Sequence, residues 1–377
     1  MRDLMATVNA GNRAHQAVMA VDKQKGQFSK AEIERFTTAF LAAFSADCAF
    51  RLKPRIRFCD VDALIGSPAH RQLCFVEFGD GRCTMSFHET LLTPYHTSGD
   101  LIFVAKSWAL LVVLEAALAQ GMSSSGAFIF EVGDNGTLRS VCFCSKHPGA
   151  CLILDYEFLR FAGHQWFRGA YAREGVAWSD RRDQVFWRGA TTGRRLKDPP
   201  AEGEPDDLSW LQRLRLCVAA QDPAVRDHCD IGLSEILQTP EAHLRETILK
   251  AGLVKAYAHR GEFLKHRFVV DIDGNSNSWS GLFLALYGGA CVLKVESLEG
   301  YRQWYYDSLQ PWLNYVPIAG DLGDFGEKVD WVRRNDREAE QIARRGHELA
   351  ARVTLESALE VSARNLCVWL AGKSAAS

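Results

Sequence analysis

The sequence predicts an α/β protein of two domains, each built on a mostly parallel sheet, and three observations carry that reading. Short apolar runs alternate with helical periods along the chain, the pattern that lays helices over parallel strands. The block Lys265–Pro317 holds a strand–loop–helix–strand unit: Phe268-Val269-Val270, a polar loop of small residues from Asp271 to Ser280, a helix, then Cys291-Val292-Leu293. The chain has 377 residues, 47% hydrophobic and 24% charged, enough for two ordinary domains with buried cores.

In chain order, residues 1 to about 50 read as helical, with Phe36, Phe40, Leu41 and Phe44 on one face. Arg55–Phe58 and Leu73–Phe78 are strand candidates. Leu101–Gln120 is the most apolar window, but Lys106 and Glu115 interrupt it, so a buried helix over 103–119 is favoured over a membrane span. A strand over Ala127–Val132 runs into the turn Gly133-Asp134-Asn135-Gly136, and Ala150–Leu154 is a further strand. The Gly-, Arg- and aromatic-rich stretch 163–183 is placed to cross between domains. Val185-Phe186-Trp187 forms a strand, and Asp207 or Ser209 is positioned to cap the helix carrying Leu211, Leu214 and Cys217. The tail from Lys328 to Leu370 is helix-rich, with a charged, solvated face.

The formal charge of −2 argues against nucleic acid as the main partner. Eleven cysteines, many in apolar runs such as Cys74, Cys217, Cys291 and Cys367, fit buried thiols in a reducing compartment. Cys142-Phe143-Cys144 with His147 has poor spacing for zinc. With no signal-peptide pattern in view, the expected location is the cytoplasm.

Three segments hold residues suited to chemistry. Arg188-Gly189-Ala190-Thr191-Thr192-Gly193-Arg194 follows an apolar strand and offers arginine forks, hydroxyls and glycines to a diphosphate, without the Gly-Lys-Ser/Thr ending of a Walker loop; a solvated basic turn is the plain alternative. Asp271-Ile272-Asp273-Gly274 admits a phosphohydrolase of the haloacid-dehalogenase type, with Asp271 as nucleophile, Asp273 as acid and Lys294 as clamp, or a metal-binding Asp-x-Asp of a sugar-nucleotide transferase. Its plain alternative is a strand-end carboxylate bonded to loop backbone. Asp134 ends a strand where open α/β domains place catalytic groups, although an aspartate in Asp-Asn-Gly is also an ordinary surface turn.

Taken together the pieces resemble glycosyltransferase family 90, the group containing protein O-glucosyltransferases, fungal capsule xylosyltransferases and bacterial lipopolysaccharide-modifying enzymes. The resemblance rests on Phe186-Trp187-Arg188-Gly189, Lys265-His266-Arg267-Phe268, Asp273-Gly274-Asn275-Ser276-Asn277-Ser278-Trp279, Val292-Leu293-Lys294-Val295-Glu296-Ser297, Leu309-Gln310-Pro311-Trp312 and Ile342-Ala343-Arg344-Arg345-Gly346. It spans residues 125–370, and the wording of the Asp273–Trp279 loop is similar to the bacterial branch.

The resemblance implies a GT-B architecture of two Rossmann-like domains facing across a cleft. Residues 1–175 would form the acceptor-side domain, 176–350 the nucleotide-sugar domain, and 351–377 a helix packing back on the first. It implies an inverting transfer from a UDP-sugar, with glucose the expected sugar, needing no metal and no cofactor beyond that co-substrate. Asp134 becomes the catalytic base. Arg188, Gly189, Thr191, Thr192, Arg194, Glu262, Lys265, Asp273, Gly274, Asn275, Ser276, Asn277, Ser278, Trp279 and Glu296 become donor-binding. Eukaryotic members carry an arginine where this loop reads Ser278 or a neighbour, which shifts the expected phosphate charge to Arg188 and Arg194. The expected acceptor is a glycan, lipid-linked or lipopolysaccharide-core sugar, with the enzyme at most peripheral to a membrane. A sugar-nucleotide-binding protein without turnover is the non-enzymatic alternative.

Overall fold

The computed structural model describes residues 4–23, 28–65, 72–92, 101–193 and 195–374. The chain divides into two compact units. The first runs to Gly163 and takes in Arg302–Trp304 and the chain from Thr354 onward; the second holds His164–Tyr301 and Tyr305–Val353.

The strands of the first unit are β1 (Lys53–Cys59), β2 (Leu73–Gly79), β3 (Arg82–His88), β4 (Gly126–Glu131), β5 (Val141–Cys142), β6 (Cys144–Ser145) and β7 (Cys151–Leu152). Six of them form one sheet in the order β1-β3-β2-β4-β5-β7, and β6 pairs instead with the excursion β12 (Arg302–Gln303). The sheet is mostly parallel, as the sequence suggested, with a single reversed strand. β2 runs antiparallel to both β3 and β4. The reason is local: Asp80 and Gly81 both take positive φ, 47° and 71°, and reverse the chain in two residues. Asp-Gly is the residue pair that a two-residue hairpin turn selects.

Helices α1 (Leu4–Asp22), α2 (Lys30–Asp47), α3 (Asp62–Ile65), α4 (Ile102–Ala119) and α5 (Tyr156–Arg160) complete this unit with the C-terminal α12 (Leu355–Ser374). A Ser29–Glu32 capping box starts α2. α4 is apolar on every side, and such a helix is buried on every side; α1, α2, α5 and α12 all pack on it. Trp108 is fully enclosed and meets Phe44 edge-on at 5.7 Å. By length and composition α4 could cross a membrane, yet 72% of it lies buried within the unit. Of its two charges, Glu115 accepts the Leu52 N–H at 2.7 Å and Lys106 points to the turn after β4. All eleven cysteines are free thiols, seven of them buried.

The second unit is a doubly wound sheet of five parallel strands: β8 (Arg182–Ala190), β9 (Cys229–Glu235), β10 (His266–Asp271), β11 (Cys291–Val295) and β13 (Val316–Ile318). Their spatial order, β9-β8-β10-β11-β13, places the first strand of the unit between the second and third. Strands covered on both faces read as continuous apolar runs, as Phe268-Val269-Val270 and Cys291-Val292-Leu293 do. The helices are α6 (Gln165–Glu174), α7 (Gln212–Ala219), α8 (Ala242–Lys250), α9 (Ser280–Tyr287), α10 (Phe325–Arg334) and α11 (Asp336–Arg352). Neither Asp207 nor Ser209 caps α7. Its N-cap is Leu211, without a side-chain bond, while Asp207 accepts the Ser209 N–H at 2.7 Å and pairs with Lys197.

Candidate active site

A sheet of this winding opens its ligand crevice outside the carboxyl ends of the strands, where consecutive connections leave in opposite directions. Here that switch point lies between β8 and β10. The loop after β8 carries Thr191–Gly193, and the loop after β10 carries Ile272–Trp279. The two loops touch: the Gly193 N–H donates to Asn275 Oδ1 at 3.2 Å. A cavity of about 40 Å³ between them is lined by Thr192, Gly193, Asp273, Asn275, Ser276 and Tyr301. That is room for a water or a hydroxyl group.

Arg213, on α7, staples the loops and was not anticipated from sequence. Its guanidinium donates to the carbonyls of Ala190, Ile272 and Asp273 and to Thr192 Oγ1. Burial holds it down to about 10, against the pull of Asp273 and Asp271. Gly274 closes over the same group, since a Cβ there would stand 2.9 Å from Arg213 Nη2.

Beneath the loop, the β10–β11 register sets Asp271 opposite Lys294. Lys294 Nζ lies 2.8 Å from Asp271 Oδ2, the Ser278 hydroxyl donates to Asp271 Oδ1, and the Tyr306 ring lies 5.0 Å from the ammonium. Asp271 is only 3% exposed with both oxygens engaged. A phosphohydrolase nucleophile must meet substrate, so this enclosure removes the physical basis of that reading. Asp273 differs: burial pushes its carboxyl up to about 6, opposed by Lys294, and its Oδ1 is buried with no partner. Ser276 is 1% exposed and its hydroxyl is likewise unmatched. Unmatched buried polar atoms at a cavity wall are what a bound polar group satisfies.

Asn277 Oδ1 accepts the Trp279 N–H at 2.7 Å. Trp279 itself is held at φ 53°, ψ −122°, a backbone strain of the kind that collects at ligand sites, and Ser280 then begins α9. Arg260 reaches this helix end; its Nη1 lies 3.1 Å from where a Cβ of Gly281 would stand, as does Ser278 Oγ. Glu296, exposed just past β11, is at the same edge of the sheet.

Other expected donor residues have internal duties. The Arg188 guanidinium is spent on Asp230 Oδ1 at 2.6 Å, the Asp230 carbonyl and the Ala256 carbonyl. It positions the 254–257 segment and is not a free phosphate fork. Gly189 is required by packing, because a Cβ would fall 2.4 Å from the Trp187 ring. The buried Thr191 hydroxyl exchanges hydrogen bonds with Leu237, donating to its carbonyl at 2.6 Å and accepting its N–H at 2.7 Å. Glu262 pairs with Lys265 at 2.6 Å and Arg182 at 3.4 Å. Arg182 begins β8 and Lys265 precedes β10, so this cluster sits at the amino edge of the sheet. One strand length, about 20 Å, separates it from the loops after β8 and β10. Arg194 lies outside the described residues.

In the first unit Asp134 stands on the turn that leaves the carboxyl end of β4. The turn is built rigidly. Glu131 accepts the N–H groups of Thr137 and Leu138 and the Ser140 hydroxyl, and Gly136 donates to the Cys144 carbonyl at 3.0 Å. Asp134 is part-exposed, and Lys106 Nζ lies 3.2 Å from its Oδ1.

Residues 235–357 match the family model described as Glycosyl transferase family 90. Among curated proteins, the chain is 42% identical over 95 residues to Protein O-glucosyltransferase 3 of Mus musculus, covering 25% of this chain and 18% of that protein. It is 27% identical over 176 residues to Protein O-glucosyltransferase 2 of Danio rerio, covering 47% and 30% respectively. Uncharacterized protein 035R of Invertebrate iridescent virus 3 matches at 34% identity over 84 residues, 22% of this chain and 8% of that protein. The chain thus spans less than a third of the length of these relatives. The matched segment runs from the end of β9 to the start of the final helix and includes the whole β10 loop, so the comparisons support a glycosyltransferase through the same loop that the sheet winding marks as the ligand crevice.

Proposed function

We propose that the protein transfers a sugar, with glucose the expected one, from a UDP-sugar to an acceptor hydroxyl with inversion at the anomeric carbon and without a metal. The supporting observation is the junction of the family-matched β10 loop with the switch point of the second unit. The diphosphate would lie against the Asn275–Trp279 loop and the start of α9, where the helix dipole and Arg260 supply positive charge. The unmatched Ser276 hydroxyl and Asp273 Oδ1 would meet donor hydroxyls or phosphate-bound water. Asp134 would take the proton of the acceptor hydroxyl as its oxygen bonds to the anomeric carbon and the bond to the UDP oxygen breaks. Charge gathering on UDP is then stabilised electrostatically by fixed donors. A GT-B arrangement, presenting Asp134 to the donor, is part of this proposal. So is an acceptor that is a sugar of a glycan or lipid-linked chain; the relatives' names add protein hydroxyls as a class to screen.

Turnover is measured against UDP-glucose, UDP-galactose, UDP-xylose and UDP-N-acetylglucosamine, with and without EDTA. One UDP-sugar should turn over undiminished by EDTA, and Asp134→Asn should lower the rate by about 10²–10⁴-fold, the range of a positioned general base. Loss of turnover in EDTA refutes the metal-free reading. UDP-sugar binding without turnover leaves a binding protein.

A further inference from the structure

α4 carries an ammonium into a place where an apolar side chain would pack better. Thirteen of its eighteen residues are buried, and Lys106 is 4% exposed among them. A buried charge is retained at a cost unless a counter-charge meets it. The Lys106 stem runs past the rings of Phe103 and Tyr156, whose centres lie 5.6 and 5.0 Å from the ammonium. Its tip meets Asp134 Oδ1 at 3.2 Å.

We propose that Lys106 is the positioning residue of Asp134, fixing one carboxylate oxygen so that the other is presented to the acceptor hydroxyl. This rests on Asp134 acting as the base. The geometry gives the reason such a tether is needed. Glu131 and Gly136 hold the backbone of the turn, but the Asp134 side chain is 42% exposed, whereas Lys106 is anchored in the buried helix α4. Charged and titratable groups near the ammonium include His15 on α1 and, at the start of and along α5, Asp155, Tyr156, Glu157 and Arg160. Burial, then Arg160 and Lys106, holds His15 down to about 4, so it is neutral at neutral pH and adds no competing cation. Burial likewise pushes the Tyr156 hydroxyl well above its ordinary range, so it brings no charge. A base that swings by an ångström loses about 100-fold in rate, which sets the scale of the effect.

The test is a double-mutant cycle on the full chain. Lys106→Met and Lys106→Gln are each made alone and with Asp134→Asn, folding is checked by thermal melt, and transfer is assayed with the UDP-sugar that the screen selects. The expected result is a turnover loss of about 10- to 100-fold in either folded single variant, with KM for the UDP-sugar unchanged within about twofold, and no further loss when Asp134 is already Asn. A turnover within about threefold of wild type, or the same loss in both backgrounds, overturns the proposal. So does failure of both Lys106 variants to fold while Asp134→Asn folds, since Lys106 then serves the fold and not the base. Full turnover in Asp134→Asn alone sinks the assignment of the base itself, a separate failure from that of Lys106.

Discussion

Lys294→Met should destabilise the second unit far more than the loss of one surface ion pair would. Lys294 and Asp271 face each other across the β10–β11 register at 2.8 Å, with side chains only 11% and 2% exposed. Methionine nearly matches the lysine stem in volume, so packing changes little, while the cation over the Tyr306 ring is lost with the charge. What remains is Asp271 enclosed, with the Ser278 hydroxyl but without its paired ammonium. Breaking a buried pair from one side costs about 3–5 kcal/mol. For a unit of this size that is a fall in melting temperature of roughly 6–20 °C. Urea unfolding followed by tryptophan fluorescence reads it, because Trp187 and Trp210 lie in the core of that unit. Adding Asp271→Asn should recover much of the loss, since the uncompensated charge is gone. The pH dependence has a definite sign. Lys294 titrates above its ordinary range despite burial, held there by Asp271 and Asp273, so its stabilising contribution is complete below the unfolded-state value, about 10.4. It is lost only as pH rises beyond that point through the folded value. A cost below about 1 kcal/mol at pH 7, or no recovery in the double variant, would refute the argument that the pair is held by mutual charge.

Two further predictions follow from groups that the site and its frame depend on. Arg260→Gln should weaken UDP binding by about 10- to 100-fold in calorimetry, the worth of one charge-assisted contact, and an unchanged Kd removes Arg260 from the donor site. Asp155→Asn should raise the melting temperature at pH 8 but not at pH 4: burial, then Glu157, pushes the Asp155 carboxyl up to about 6, so the native state loses stability as pH rises from the unfolded value through that point, and asparagine keeps the bond to the Phe158 N–H while losing the charge. Equal melting shifts at both pH values would contradict it.

How much was legible in the sequence depended on whether the signal was local. The strand over Phe268–Val270, the polar loop and the helix after it are contiguous, and they form β10, its loop and α9. The apolar window over 103–119 became the central helix α4 for the same reason. The reversed strand of the first unit was also written locally, in Asp80-Gly81, but that pair lay between strands not recognised as a hairpin. Non-local information was lost. β9 begins Cys-Asp and ends Ser-Glu, which reads as a loop until Asp230 is seen paired to Arg188. Arg213 and Arg260 sit in ordinary polar segments, and only the fold carries them to the loops after β8 and β10. Glu262 and Lys265 show the opposite case: near the motif in sequence, they are one strand length from it in space.

Those displacements change what kind of anion site the second unit can be. A loop with Arg188 and Arg194 free would bind diphosphate chiefly by charge. With Arg188 neutralised by Asp230 and Arg213 donating to three backbone carbonyls, two arginines serve to set the loops rather than to meet the ligand. In the proposed function, specificity would then fall to oriented dipoles: the start of α9, the Ser276 hydroxyl and the Asp273 carboxyl, with Arg260 as the nearby charge. Dipoles fixed by buried hydrogen bonds are aimed before the ligand arrives and need no reorganisation as charge moves onto the leaving group. They also discriminate by geometry, because a misplaced hydroxyl leaves Ser276 and Asp273 unsatisfied inside the protein. The buried Asp271–Lys294 pair has its functional sense here, since it anchors through Ser278 the loop that carries those dipoles, so a weakened pair should blur the choice of donor before it abolishes folding.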